Sequence, residues 1–192
     1  MKKIILFLQL IFSIGMSAQT TVESVQVADM DEGAPICGKS IDLHKRILQA
    51  YNCDSTLIVF ACDTTKKGKN TDTGYLYSLE ANTLEVQWQK SLKLSLSKLY
   101  GVCSKGVLLS STLKSTGKSL LTLSDTKTGR SLWTQYLYPV YFNDSLDIVI
   151  GLEKVGGSKT YAYRLSTGML LWDAEIPMTK NVGWKDACMV DS

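Results

Sequence analysis

The sequence predicts an all-β protein made of repeated four-stranded antiparallel sheets. Two ladders of aromatic residues indicate the repeat, because both recur at a period of about forty residues in the same order. The first ladder consists of tryptophans that each end a short strand, Trp88, Trp133 and Trp172, at steps of 45 and 39 residues. The second ladder precedes a polar bend in each repeat and comprises Tyr51, Tyr100, Tyr141 and Trp184. Four antiparallel strands per repeat are typical of the blades of a β-propeller.

The four strands of each repeat follow from the apolar runs between these aromatic residues. The tyrosine lies on the first strand, and an apolar second strand follows at residues 57–61, 107–109 and 148–150. The third strand is expected at residues 74–79, 119–123 and 160–165. A polar turn then leads into the fourth strand, which ends at the tryptophan.

The turn before the last strand carries Thr-Gly in two of the three repeats, at Thr128-Gly129 and Thr167-Gly168. Glycine tolerates the positive φ that a tight reversal requires, and the threonine hydroxyl can bond back to the turn. In the first repeat, Leu84 follows Thr83 at the matching position. We therefore expect a different turn there, with Asn82 at positive φ.

The recurring tryptophans are predicted to pack between adjacent blades. A buried indole removes on the order of 200 Å² from water, so a tryptophan at a fixed phase of every repeat is best explained by packing common to all repeats. A stacking platform for a sugar or a cofactor is the alternative interpretation of the same residues.

Residues 128–133 and 167–172 both read T-G-x-x-x-W, and they resemble the signature of the pyrroloquinoline-quinone-like (PQQ-like) repeat family of β-propellers. The resemblance covers roughly residues 48–178, and Thr83-Leu84 with Trp88 is a weaker match. The family includes quinoprotein alcohol dehydrogenases, which hold quinone and calcium at the propeller axis. It also includes cofactor-free members such as outer-membrane assembly lipoproteins of the BamB type.

The dehydrogenase branch of this family implies a catalytic Asp, a calcium-binding Glu and Asn, and vicinal cysteines. No two cysteines are adjacent in this sequence, and no acidic residue can be matched to those positions. We therefore assign no catalytic, cofactor-binding or metal-ligating residue in the chain. The resemblance implies a binding or assembly scaffold for protein or glycan. The alternative is part of a PQQ- and calcium-dependent dehydrogenase whose catalytic residues lie outside this chain.

The amino terminus is typical of a secretory signal at residues 1–18, with two lysines, an apolar stretch and a small-residue exit. Export to the periplasm, the outer membrane or the exterior is expected, with no membrane span after signal removal. Five cysteines remain, at positions 37, 53, 62, 103 and 188. Buried thiols are the favoured interpretation, ahead of a disulfide and then a metal site.

We divide the rest of the chain into an N-terminal segment, 19–47, and the blades, 48–192. The first segment could supply a strand to another blade. The blades are expected at 48–92, 97–137 and 139–178, with a partial blade at 179–192. Closed propellers use four to eight blades, so we expect either a longer chain, which we favour, or self-association through the open blade edge.

The composition excludes bulk electrostatic binding of nucleic acid. Of 192 residues, 45% are apolar and 20% charged, and the formal charge of +3 falls to +1 without Lys2 and Lys3.

The remaining polar residues are assigned structural roles. His44, the single histidine, excludes multi-histidine metal sites and is expected on a strand. Residues 66–69 are basic but belong to a predicted long polar loop at 63–73, whose charge is interpreted as ordinary solvation. Gly156-Gly157 indicates a hairpin. Asp144, Asp147 and Glu153 are interpreted as turn residues rather than as a catalytic group.

Overall fold

The computed structural model describes residues 22–28 and 36–175. The chain divides into two compact units, Met1–His44 and Lys45–Ser192. The described part of the first unit is an antiparallel hairpin of β1 (Val22–Ala28) and β2 (Ile36–Ile41). The expected signal segment and the expected partial blade at 179–192 lie outside the described residues.

The second unit contains three four-stranded antiparallel sheets. The first sheet is formed by β3 (Arg46–Cys53), β4 (Thr56–Thr64), β5 (Asn70–Glu80) and β6 (Val86–Lys93). The second is formed by β7 (Ser97–Cys103), β8 (Gly106–Thr112), β9 (Ser119–Ser124) and β10 (Ser131–Tyr136). The third is formed by β11 (Tyr138–Asn143), β12 (Ile148–Leu152), β13 (Lys159–Arg164) and β14 (Leu170–Glu175).

Each sheet is an up-and-down meander in which consecutive strands are neighbours. No helix occurs in residues 22–28 and 36–175. The predicted fold class is confirmed: the described second unit is an incomplete β-propeller of three antiparallel blades. The pairing shifts register in all three sheets, once between the first two strands and once immediately before the tryptophan on the last strand. Such bulges redirect side chains, and here they recur with the repeat.

Two apolar cores lie between consecutive sheets. The core between the first and second sheets contains Ile58, Phe60, Leu76, Leu99 and Val107. The core between the second and third sheets contains Cys103, Leu108, Leu121, Leu123, Trp133, Leu137, Val149 and Leu165. Each sheet therefore buries one face against its neighbour, which provides the main driving force for stacking the sheets.

The two ends of the stacked sheets carry different kinds of connection. Short linkers, residues 94–96 and Leu137, join the last strand of one sheet to the first strand of the next. The loops between second and third strands, residues 65–69, 113–118 and 153–158, lie at the same end because strand direction alternates. We call this the loop end. The opposite end, which carries the other turns, is the turn end.

The three turns between third and fourth strands share one backbone geometry. In each, a residue at positive φ donates its N–H to the carbonyl four positions earlier, at 2.8 to 2.9 Å. These residues are Leu84, Gly129 and Gly168, with φ of 61°, 67° and 69°. The expectation of a different turn with Asn82 at positive φ is wrong. Glu80 accepts hydrogen bonds from the N–H groups of Asn82 and Thr83, which holds Leu84 in the left-handed region.

Two further expectations about local structure are corrected. The polar loop predicted at 63–73 spans only residues 65–69, because Thr64 pairs with Asn70 and the ladder extends into the polar residues. His44 does not lie on a strand: it occupies a bend with φ of 51°, where its N–H donates to Asp42.

Acid should weaken the turn of the second sheet through Asp125. The hydroxyl and the N–H of Thr128 both donate to Oδ1 of Asp125 at 2.7 Å, and this lowers the pKa of that carboxyl below its ordinary 3.8. Because the unfolded state then binds the proton first, the stabilisation is complete above pH 3.8 and is lost as the pH falls through the lower folded-state pKa. We expect Asp125→Asn to reduce the slope of the unfolding free energy against pH below 3.8, and Thr128→Val to reduce it partly. An unchanged slope in Asp125→Asn would contradict this role.

Candidate binding surface

The tryptophan of the first sheet docks on the glycine turn of the second. The indole Nε1 of Trp88 donates to the carbonyl of Thr126 at 2.8 Å. Its ring lies so close to Gly129 that a Cβ there would be 2.8 Å from Cδ2 of the indole. Ser78, which pairs with Trp88, also donates to the Thr126 carbonyl, at 2.6 Å.

The tryptophan of the second sheet makes the same contact with the third. Nε1 of Trp133 donates to the carbonyl of Leu165 at 2.8 Å, and a Cβ on Gly168 would be 2.6 Å from Cγ of the indole. Gln135 adds a hydrogen bond from Nε2 to the carbonyl of Gly168 at 2.9 Å. Trp133 is only 9% exposed. Thr128 and Thr167 sit beside these glycines, and their hydroxyls accept the N–H groups of Arg130 and Met169.

The third tryptophan has no such partner among the described residues. Trp172 is 44% exposed, and no described glycine turn lies against its ring. It belongs to β14, which is exposed along its whole length and which, among the described strands, pairs only with β13. Leu170 and Leu171 are also exposed. We call β14 with these three side chains the Trp172 face, and it is the largest run of exposed apolar residues on any described strand.

A methyl group added to Gly168 should lower the free energy of unfolding, because it would collide with the indole of Trp133. Gly168→Ala adds a methyl group at φ +69° against Trp133, whereas Gly117→Ala adds one at φ +67° with nothing within 4 Å. Gly117→Ala should cost about 1–2 kcal/mol of backbone strain, and Gly168→Ala about 2 kcal/mol more from overpacking. Urea unfolding of both variants measures the difference. In a Trp133→Ala background the excess at Gly168 should shrink but not vanish, because the ring is removed while the Cβ of residue 133, 2.9 Å from the added methyl group, remains. An excess of unchanged size would rule out the ring as its cause.

The acidic residues of the third repeat hold turns together. Asp144 accepts the N–H and the hydroxyl of Ser104 at 2.7 and 2.9 Å, which ties the turn ends of the second and third sheets. Asp147 accepts the same pair of groups from Ser166, at 2.7 and 2.6 Å. Glu153 lies in a loop at the loop end, so the three carboxylates that are close in sequence are not brought together.

A third aspartate that accepts both donors of one serine lies at the loop end. Asp72 accepts the N–H and the hydroxyl of Ser95 at 2.6 and 3.0 Å, and the N–H bond is the main cause of its lowered pKa. An aspartate that accepts both donors of one serine thus recurs, twice between two turns and once between β5 and a linker.

Removing the hydrogen bonds between Asp144 and Ser104 should destabilise the protein. Asp144→Ala leaves the N–H of Ser104 without its acceptor, and we expect a loss of about 1 kcal/mol in unfolding free energy. Glu153→Ala is the matched control, since the described structure gives its carboxylate no hydrogen bond, and it should change stability by less than about 0.5 kcal/mol. Equal unfolding midpoints for the two variants would refute the fastening role.

A partly buried cluster of polar side chains lies at the first sheet. Lys45 donates to Asp63 at 2.6 Å, and the hydroxyl of Tyr75 donates to the other carboxylate oxygen at 2.9 Å. The hydrogen bond from Lys45 is the main cause of the lowered pKa of Asp63 and also raises the pKa of Lys45. Tyr77 stacks beside Tyr75 with ring centroids 6.0 Å apart. Lys45 and Tyr75 thus both donate to the Asp63 carboxylate, which gives this group a structural role.

The described cysteines are free thiols. Cys53 and Cys62 lie at opposite ends of the hairpin of β3 and β4, and so cannot pair. Sγ of Cys53 contacts the carbonyl of Cys103 at 3.3 Å, while the Cys103 side chain packs into the next core. Burial raises the pKa of both thiols, which keeps them protonated and weakly reactive. The side chains of Cys37 and Cys188 lie outside the described part.

The described residues form no other constellation with evident chemistry. His44 pairs with Asp42 at 2.9 Å, with both side chains more than two-thirds exposed. Residues 22–28 and 36–175 hold no group of three His, Cys, Asp or Glu side chains placed to bind a metal ion. Within the same ranges, there is no helical segment with the length and apolarity that a bilayer crossing requires.

No family model matches the chain, and no curated protein matches it. Comparison with solved structures finds a europium-containing methanol dehydrogenase, at 12% identity and a TM-score of 0.47, over 81% of this chain and 40% of the other. The β-propeller domain of the Trilobed protease from Pyrococcus furiosus matches at 6% identity and a TM-score of 0.44, over 69% and 43%. BamB from Moraxella catarrhalis matches at 14% identity and a TM-score of 0.27, over 81% and 79%.

The chain spans about two-fifths of the length of the first two structures. The fold itself is defined by the three sheets, with their repeated bulges and turns.

Proposed function

We propose that the protein is an exported, non-enzymatic β-propeller scaffold that binds a protein partner through the Trp172 face. The observation that supports this is the contrast among three equivalent tryptophans. Trp88 and Trp133 each dock on a glycine turn with one hydrogen bond from the indole. Trp172 presents the same indole without a described acceptor.

The chemistry of the face favours a protein hairpin as its occupant. A turn with glycine at positive φ and a free carbonyl would complete the contact that the other two tryptophans already make. The exposed strand β14 also has an edge that no described strand pairs, and extended protein segments add to such edges. Leu170 and Leu171 offer apolar area but no hydrogen-bonding groups for the hydroxyls of a glycan.

Export rests on the amino-terminal pattern of residues 1–18, with its lysines, apolar stretch and small-residue exit. The quinoprotein alternative places its catalytic residues outside this chain, so activity of the protein with PQQ and calcium separates the two proposals.

A photo-crosslinking residue placed at position 170, which is 50% exposed and leaves Trp172 in place, tests the occupant. We expect cells producing this variant to give one adduct whose cross-linked peptide is a hairpin turn containing glycine. An adduct of increased mass would place that turn in a partner, whereas one of unchanged mass would place it in the same chain and contradict the proposal. Val86, on the outer strand of the first sheet and 38% exposed, is the matched control position and should give no adduct. The purified partner should bind Trp172→Ala at least about tenfold more weakly, as for a buried tryptophan anchor.

Several outcomes would overturn the proposal. These are an absence of any adduct at position 170, an adduct of unchanged mass, an adduct only with a second copy of this chain, or an adduct removed by a glycosidase. The quinoprotein alternative is tested by adding PQQ and calcium to the purified protein. Reduction of a dye by an alcohol substrate would refute a non-enzymatic role.

A further inference from the structure

Lysines gather at the loop end of the three sheets. The loops 65–69, 113–118 and 153–158, with the first residue of β13, carry seven exposed lysines: Lys66, Lys67, Lys69, Lys114, Lys118, Lys154 and Lys159. Glu153 is the single acidic residue in these loops. Each loop taken alone is an ordinary solvated hairpin, but the fold places all three at one end.

These loops lie side by side. The linkers at 94–96 and at Leu137 join neighbouring sheets at this end, and Thr112 and Ser119, which flank the second loop, bond to Leu96 and Leu137 through their backbones. Packed sheets are separated by about 10 Å, so the lysines of three loops spread over roughly 20 Å. The positive charge therefore forms a broad surface and not a pocket.

The opposite end has no such excess. Its short turns between strands carry the acidic residues Asp54, Glu85, Asp125, Asp144 and Asp147 and the basic residues Lys105, Lys127 and Arg130. Asp125, Asp144 and Asp147 are held by hydrogen bonds within the turns. The small net charge of the whole chain conceals this separation between the two ends.

Acidic groups neutralise few of the loop-end lysines. Within the described residues, Lys159 pairs with Asp173 at 3.5 Å, and Lys114 interacts electrostatically with Asp72. Lys118 lies 5.6 Å from the ring centroid of Tyr136 and keeps its charge available to solvent.

Exposed apolar and aromatic side chains accompany this charge. Val155, in the third loop, is 69% exposed. Tyr136 and Tyr138 flank the linker residue Leu137 and are also exposed. Lysine with tyrosine and a projecting aliphatic residue is the combination found where proteins meet the interfacial region of a bilayer.

We propose that the loop end binds peripherally to a membrane surface that contains anionic lipid. The cations of the three loops are all lysine, a flexible point charge suited to a diffuse field, whereas discrete carboxylates and phosphates are usually recognised by bidentate arginine. A flat array of seven such charges fits the surface potential of an anionic leaflet, with Val155 and the tyrosines entering the headgroup region. This surface is separate from the Trp172 face and does not depend on the partner proposed for it.

Vesicle flotation tests this directly. The full chain should bind phosphatidylcholine vesicles that contain phosphatidylglycerol more strongly than pure phosphatidylcholine vesicles. Each lysine near an anionic leaflet strengthens binding about fivefold, so Lys66→Gln, Lys67→Gln and Lys69→Gln combined should lower the partition coefficient at least about tenfold. The matched control combines Lys105→Gln, Lys127→Gln and Arg130→Gln, which removes equal charge from the turn end, and it should change binding less than about twofold. All variants keep the same amino terminus, so its contribution cancels.

Two further measurements complete the test. Val155→Ser should weaken binding at a salt concentration that screens the lysines, because its contribution is apolar. Trp172→Ala should leave vesicle binding unchanged, so failure of the scaffold proposal and failure of this one are distinguishable. Equal losses in the two charge variants would overturn the inference. Binding to soluble polyglutamate or heparin without binding to anionic vesicles would also overturn it, in favour of an acidic polymer.

Discussion

The contact between an indole and a glycine turn is the constraint on which the stacking of the sheets depends. Trp88 and Trp133 each need three conditions together: a bulge that turns the ring toward the next sheet, a turn residue without a Cβ, and a carbonyl aimed at the indole N–H. A methyl group on the turn residue would overlap the ring, so sheet spacing and turn sequence are coupled. This coupling explains why the Thr-Gly turn and the tryptophan recur together: each turn belongs structurally to the preceding tryptophan as much as to its own sheet.

Much of this architecture could be predicted from the sequence, because the contacts repeat with the chain. The strand order, the first-strand tyrosines and the Thr-Gly turns of the second and third sheets all follow from periodicity. The tyrosine ladder is nevertheless only approximate. Counted from the end of the first hairpin, Tyr51 and Tyr141 are equivalent, but Gly101 takes the matching place in the second sheet. A Cβ there would be 2.6 Å from the ring of Phe142, so Tyr100 occupies the adjacent bulge instead. That close approach is a tertiary contact, which periodicity does not contain.

Charged residues illustrate the other limit of sequence reasoning. Asp144 and Asp147 are close in sequence but have different partners. Asp144 accepts hydrogen bonds from Ser104 of the second sheet, whereas Asp147 accepts them from Ser166 of its own sheet. Glu80 and Asp125 brace the third-to-fourth turns of the first two sheets, but the corresponding residue of the third sheet is Arg164, which cannot accept a hydrogen bond. Asp147 supplies the missing acceptor from the neighbouring turn. The lysines of the loop end behave in the opposite way, since residues far apart in sequence combine into one surface only after folding.

Leu84 makes the two outer sheets of the stack unequal as docking surfaces. Its turn has the same backbone geometry as the glycine turns, but its side chain begins where an indole would have to lie. A tryptophan from another sheet therefore cannot dock on the turn of the first sheet in the way that Trp88 docks on the second sheet and Trp133 on the third. The third sheet, by contrast, presents Trp172 for such a contact. Closing three sheets on themselves, or adding a second copy end to end through this contact, would drive Trp172 into Leu84. A glycine turn supplied from outside the described sheets meets no such obstacle, and this asymmetry is the physical reason to look for a partner at one face of the stack and not at the other.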